Sequence, residues 1–120
     1  MNRLVGIPWG QKQPPEEADC LTLAVYAQKV LWGKEIVFDF PIDWTAKTHR
    51  KRSYEMIKQI SKYAIQVEEP KIGCVGLIEI SGFLHLITFV ETDKVLHTIL
   101  NGKSRISRYR GKGASIWSLF

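Results

Sequence analysis

Three side chains of this 120-residue chain could together break an amide bond: Cys20, His85 and His97. Cys20 follows Asp19 and opens the apolar run CLTLAVYAQKVLW. If that run is a helix, Asp19 is of N-cap type and Cys20 lies in the first turn. There, backbone N–H groups and the positive end of the helix dipole stabilise a thiolate. His85 lies in FLHLITF and His97 in KVLHTIL, twelve residues apart in segments that read as neighbouring strands. A thiolate nucleophile, an imidazole base and a group that orients the base are the parts of a thiol hydrolase. Each residue also has a plainer reading. An isolated cysteine in an apolar run packs as a small hydrophobe, and a strand histidine is a satisfied core or exposed residue. Cys74, the other cysteine, allows at most one bridge, and the spacing matches no paired CxxC metal site. No metal and no cofactor are expected.

These residues need a scaffold. Asp19 before the run and Gly33 after it predict a helix from Cys20 to about Trp32. Leu21, Leu23, Ala24, Val25, Ala27, Val30 and Leu31 cover so much of its circumference that neighbours are expected on several sides. The nineteen residues before it hold three of the five prolines and read as an irregular lead-in. Residues 36–44, broken by Pro41, read as a connection, and Tyr54, Ile57, Ile60 and Ala64 recur at helical spacing, predicting an amphipathic helix over about 48–63. Beyond Pro70 the period changes. KIGCVGLIEI, FLHLITFV and KVLHTIL read as strands joined by hairpins at Ser81-Gly82 and Thr92-Asp93-Lys94, with SRISRYR and SIWSLF as a fourth and a fifth. The expectation is one α+β domain over residues 1–120, a buried helix carrying Cys20 on an antiparallel sheet of about four to five strands.

Hairpin geometry sets the distance between the histidines. With Thr92-Asp93-Lys94 as a three-residue loop, Glu91 faces Val95 and His97 faces Phe89, four residues along from His85. That is about 13 Å between backbone positions, so direct contact needs a bulge or strong twist. In the same register Asn101 faces His85 and is the substitute for His97 as orienting residue.

The chain resembles the NlpC-type cell-wall peptidases, compact papain-like cysteine enzymes. GIPWGQKQPPEEADC is similar to the family's Gly-x-Pro-aromatic opening that leads to an Asp-Cys pair at a helix start. PKIGCVGLIEI resembles the strand before the catalytic histidine, HLITFV the strand that opens with it, and VLHT the next strand with the third polar residue at the same spacing. The resemblance covers roughly residues 4–33 and 70–110. Leu21 and Thr22 stand where the family commonly has small residues, and Gly73-Cys74 where it tends to have Gly-Asp. It implies that Cys20 is the nucleophile, His85 the general base and acid, and His97 the orienting residue. Trp9 and Asp19 are implied to lie at the substrate. The implied reaction is hydrolysis of a peptidoglycan stem peptide between D-glutamate and a diamino acid.

Hydrophobic residues make up 45% and charged residues 24%, which excludes intrinsic disorder. No apolar run is long enough to span a membrane, and the apolar stretch after Arg3 is broken at Gly6 and Pro8, too early for a signal-peptide core. A wall-cleaving enzyme without an export signal needs another route outward. The short GIPW form resembles the family's phage-tail branch, which implies delivery by the virion and other tail proteins as partners. A rival is a structural tail-tip subunit that uses the fold for assembly. The net charge of +5 is concentrated in residues 47–52 and 103–112. Lys103 to Lys112 reads as a docking surface for an acidic partner or wall polymer. A nucleic-acid-binding module is the third reading, resting on Tyr109 among cations, which is thin support for a stacking platform.

Overall fold

The structure, a computed structural model, describes residues 2–10, 12–37, 57–80, 83–99, 101–110 and 113–119. The predicted helix is present as α1 (Cys20–Trp32). Asp19 is extended at φ −99°, and its carboxylate accepts the Thr22 N–H at 2.8 Å while the Thr22 hydroxyl accepts the Asp19 N–H at 2.9 Å. This reciprocal cap satisfies two backbone donors, and such an N-cap contributes about 1 kcal/mol. Gly33 ends the helix in the left-handed region at φ 65°, where glycine carries no Cβ penalty. The buried positions are Cys20, Leu21, Leu23, Ala24, Ala27 and Gln28. They form one stripe, so α1 is not enclosed on several sides: Val25, Val30 and Leu31 remain half-exposed.

The sheet has six strands where the pattern suggests four to five. They are β1 (Ala64–Val67), β2 (Val75–Ile80), β3 (Phe83–Glu91), β4 (Lys94–His97), β5 (Arg105–Arg108) and β6 (Ala114–Leu119). Their order is β1-β6-β2-β3-β4-β5, and every pairing is antiparallel. The additional strand is β1. Ala64 continues the helical spacing of Ile57 and Ile60, yet helix ends at residue 60, and after a turn the β-branched Ile65 and Val67 pair with β6 instead. Of the expected helix over 48–63, residues 57–60 are helical and 61–63 form a turn, while residues 48–56, the connection from residue 38 and the turn Ser81-Gly82 lie outside the described residues.

α1 packs on β3 and β4. Under its first half, Cys20, Leu21 and Ala24 meet Val75, Leu77 and Leu86, with Ile60 and Ala64 beside them. Leu23 and Ala27 meet Val90, Leu96, Leu4 and Ile7. A third cluster, Cys74, Ile87, Phe89, Val95 and Ile116, occupies the opposite face. Gly76 pairs with Ile87 there, and a Cβ on it would come within 2.9 Å of Ile87 Cγ1, so β2 leaves room for that side chain by having none of its own.

The lead-in is irregular, as expected, but firmly tied. Gly6 N–H donates to the Ser104 carbonyl and Ser104 N–H to the Ile7 carbonyl, at 2.9 and 2.8 Å. The buried Ser104 hydroxyl accepts the Ile7 N–H at 2.9 Å and donates to the Leu4 carbonyl at 2.6 Å. Trp9 N–H donates to the Gly102 carbonyl, and the Ala18 N–H to the Pro8 carbonyl, both at 2.9 Å. The segment is thus a strap joining residues 102–104 to the start of α1.

Candidate active site

Cys20 is the first residue of α1, directly behind the Asp19 cap. Its side chain is 3% exposed and packs in the apolar cluster with Leu77 and Leu86. Cys74 is equally buried and carries no disulfide; its cluster is on the other face of the sheet. Asp19 is 1% exposed, with one carboxylate oxygen accepting from both the Thr22 N–H and the Thr22 hydroxyl. Trp9 is half-buried and forms a bridge with Ala18, which brings it beside the helix start.

The histidines come closer than the three-residue loop allows. Glu91 pairs with Lys94, so the turn is the two residues Thr92 and Asp93. The register then shifts between Phe89 and Glu91, and Phe89 pairs with Val95 and Thr88 with Leu96. Continued by one residue, this places His97 opposite Ile87, two residues from His85 on the same face. The expected four-residue offset is halved: the two-residue turn removes one residue of it, and the extra residue of β3 absorbed as at a bulge removes the other. Asn101 does not face His85. It is exposed in a turn after β4, in the left-handed region at φ 61°, which asparagine tolerates better than most residues.

Successive residues of a strand point to opposite faces. Leu86 points to α1, so His85 shares the second face with Ile87 and Phe89. His97 shares that face with Val95, and so does Ser107, the partner of Val95 on β5. His97 Nε2 and Ser107 Oγ are 2.8 Å apart. The structure therefore brings His85, His97 and Ser107 together on the second face and does not bring Cys20 to them: the thiol packs over Leu86 on the α1 face. Ser107 was legible in SRISRYR only with the β4–β5 register in hand, since alternation alone gives it a face and no partner.

Burial lowers the His85 pKa below its usual 6.5. The His97 pKa is lowered by burial first, then by the Arg105 and His85 charges, against an opposing hydrogen bond with the Thr98 backbone. Both rings bind a proton less readily folded than unfolded. As pH falls below 6.5, the unfolded chain takes up more protons, and stability falls; above it this contribution is fully present. The urea midpoint is expected to be lower at pH 5.5 than at pH 7.5, and a His85→Gln/His97→Gln double variant to reduce the difference. An unchanged difference in that variant would assign the pH dependence elsewhere.

The cations Lys103, Arg105, Arg108 and Arg110 are exposed on and around β5, an outer strand of the sheet. Tyr109 is not displayed among them as a platform. Its ring stands edge-on to Phe89, with centroids 5.1 Å apart and planes at 84°. Lys47 to Arg52 and Lys112 lie outside the described residues. Among the described residues, no group of three His, Cys, Asp or Glu side chains could hold a metal ion, and no helix is long and apolar enough to cross a membrane. No protein-family model matches this sequence, and no curated protein matches it.

Proposed function

We propose that the protein is a papain-like cysteine hydrolase of the NlpC type, acting on the stem peptides of peptidoglycan. One observation carries the reading: Cys20 opens a capped helix, as the nucleophile of such an enzyme does, and packs on the strand of His85, whose ring lies on the other face of the sheet beside a second histidine. In the reaction that the resemblance implies, the Cys20 thiolate attacks the amide carbonyl, amide groups at the start of α1 hold the oxyanion, and His85 protonates the leaving amine, which requires its ring to reach the α1 face of the sheet. Water, deprotonated by His85, then releases the acyl group and restores the thiol. His97 orients the base, and Trp9, beside the helix start, is placed to contact the peptide. Asp19 serves the site by capping the helix that presents the thiol. Delivery by a phage virion, among tail proteins, remains part of this reading through the likeness of the GIPW opening.

The test is cleavage. Wild type incubated with soluble stem-peptide fragments is expected to give products summing to substrate plus one water by mass spectrometry, and Cys20→Ala none. Alkylation near neutral pH is expected to label Cys20 before Cys74. Turnover that survives Cys20→Ala would refute the nucleophile.

A structural tail-tip subunit is favoured by a different observation. Cys20 is buried among apolar side chains on the α1 face, whereas His85 is on the other. On that reading the thiol is core packing. Wild type then leaves stem peptides intact, and Cys20→Ala assembles as wild type does.

A further inference from the structure

We propose that the outer edge of β5 is a docking site for an acidic, extended segment of a partner protein, which adds to the sheet as a further strand. The proposal goes beyond the hydrolase reading and does not rest on it. β5 ends the sheet and has β4 on one side only. In an antiparallel pair, alternate residues turn both backbone groups toward the partner strand, and the residues between turn theirs away. Bonds at the two ends of β5 set the phase. Ser104 faces outward, because its carbonyl accepts the Gly6 N–H and its N–H donates to the Ile7 carbonyl of the strap. Tyr109 faces inward, its N–H donating at 2.7 Å to the carbonyl of Asp93, just ahead of β4. Alternation between them turns the N–H and C=O groups of Ile106 and Arg108 outward, and among the described residues nothing bonds them there.

The same edge already accepts extended backbone. Pro8 bridges Lys103 in the antiparallel sense and the strap pairs with Ser104, then leaves the edge in a turn of 3₁₀ helix at Asn2–Leu4. Charge sets the chemistry of the occupant. Lys103, Arg105, Arg108 and Arg110 are exposed, and among the described residues none of them is in an ion pair; Glu91 of the neighbouring hairpin is engaged by Lys94 at 3.4 Å. Arg105 lies on the His97 face of the sheet, whereas Ile106 and Arg108 lie on the α1 face. Carboxylates three residues apart on an added strand therefore meet an arginine on each face, and opposite charges across strands stabilise a pair. Like charges destabilise it, which excludes the same basic edge of a second copy. A polyphosphate meets the charges but brings no N–H groups to the outward carbonyls of Ile106 and Arg108. An acidic peptide satisfies both.

The test uses the whole protein and a capped synthetic peptide of the repeat Thr-Val-Glu, in which glutamates alternate between the two faces of a strand. Fluorescence anisotropy is expected to show saturable binding, and Arg105→Glu/Arg108→Glu to weaken it about tenfold or more. A Thr-Val-Lys peptide is expected to bind that variant better than wild type. Amide hydrogen exchange of wild type, which needs no variant to fold, reads the mode of binding: the peptide slows Ile106 and Arg108 more than Ser107, whose N–H faces β4. Methylating the backbone nitrogens of one alternate set of peptide residues abolishes binding, and methylating the other set does not. Absence of saturable binding, binding that leaves Ile106 and Arg108 exchanging freely, or equal effects of the two methylations would overturn the proposal. Tighter binding of a polyphosphate of equal charge would assign the surface to a polyanion instead. Self-association of the free protein in sedimentation, lost in Arg105→Glu/Arg108→Glu, would assign the edge to a second copy and overturn it equally.

Discussion

His85→Ala removes nearly all hydrolysis of a stem-peptide amide, a loss of about a hundredfold to ten-thousandfold from proton transfer alone. His97→Ala loses less. The difference follows from their roles in the proposed reaction. The general base moves a proton in each half of turnover, whereas an orienting neighbour limits only how the base is held. His97→Gln recovers part of the loss, because a side-chain amide offers both a donor and an acceptor and can take over the contact that His97 Nε2 makes with the Ser107 hydroxyl. Asn101→Ala leaves the rate unchanged, since that side chain is exposed beyond the end of β4. Initial rates on a soluble peptide, with matching far-UV circular dichroism, measure all four. Full activity in His85→Ala would end the cysteine-hydrolase reading, and a crippled Asn101→Ala would restore asparagine as the orienting group.

Phe89→Ala is expected to cost about 3–5 kcal/mol of stability. Phe89 is 0% exposed at the centre of the second face, packed with Cys74, Ile87, Val95 and Ile116 and edge-on to Tyr109. Its backbone is equally committed: the N–H donates to the Cys74 carbonyl and the carbonyl accepts from Gly73 N–H, both at 2.9 Å. Rigid hydrogen-bonded strands on both sides leave a cavity little means of collapsing, which puts the cost toward the upper part of the range. A small domain has only about 5–15 kcal/mol in total, so the urea midpoint falls far. Ile65→Ala is the control. Ile65 is 55% exposed on β1, an outer strand, and its loss shifts stability by about 0.5 kcal/mol or less. Equal shifts in the two variants would show that the second face is not a packed core.

The helix was legible because its stop signals are local. Asp19 and Gly33 act through their own backbone geometry, and no tertiary contact is needed to recognise them. The central strands were legible for a similar reason, as runs of β-branched and aromatic residues between short turns. β1 was not, because Ala64 satisfies a helical spacing and a strand pattern alike, and pairing with β6 decides between them. The histidine register failed differently. Thr92-Asp93 carries no Asn-Gly or Asp-Gly signature of a two-residue turn, and the slip after Phe89 occurs without a glycine to announce it. Two residues of register, one from the turn and one from the slip, moved the candidate orienting group from His97 to Asn101. The choice of Cys20, His85 and His97 needed no register, but deciding which of them meet did.

The strap between residues 4 and 104 sets an order on the birth of this protein. Ser104 binds Leu4 and Ile7 across almost the whole chain, and the same segment reaches Ala18, just ahead of Cys20. A ribosome makes Leu4 first and must deliver residue 104 before the clasp can close. Until then α1 has its cap but not the anchor at its front, and β4 has no β5 beside it. Contacts of such separation are slow to form, because a long loop must be closed before they give anything back. A nascent chain halted between β4 and β5 therefore carries Cys20, His85 and His97 together with an unfastened helix start. Ser104, which fastens the strap ahead of Cys20, is made only after all three candidate residues.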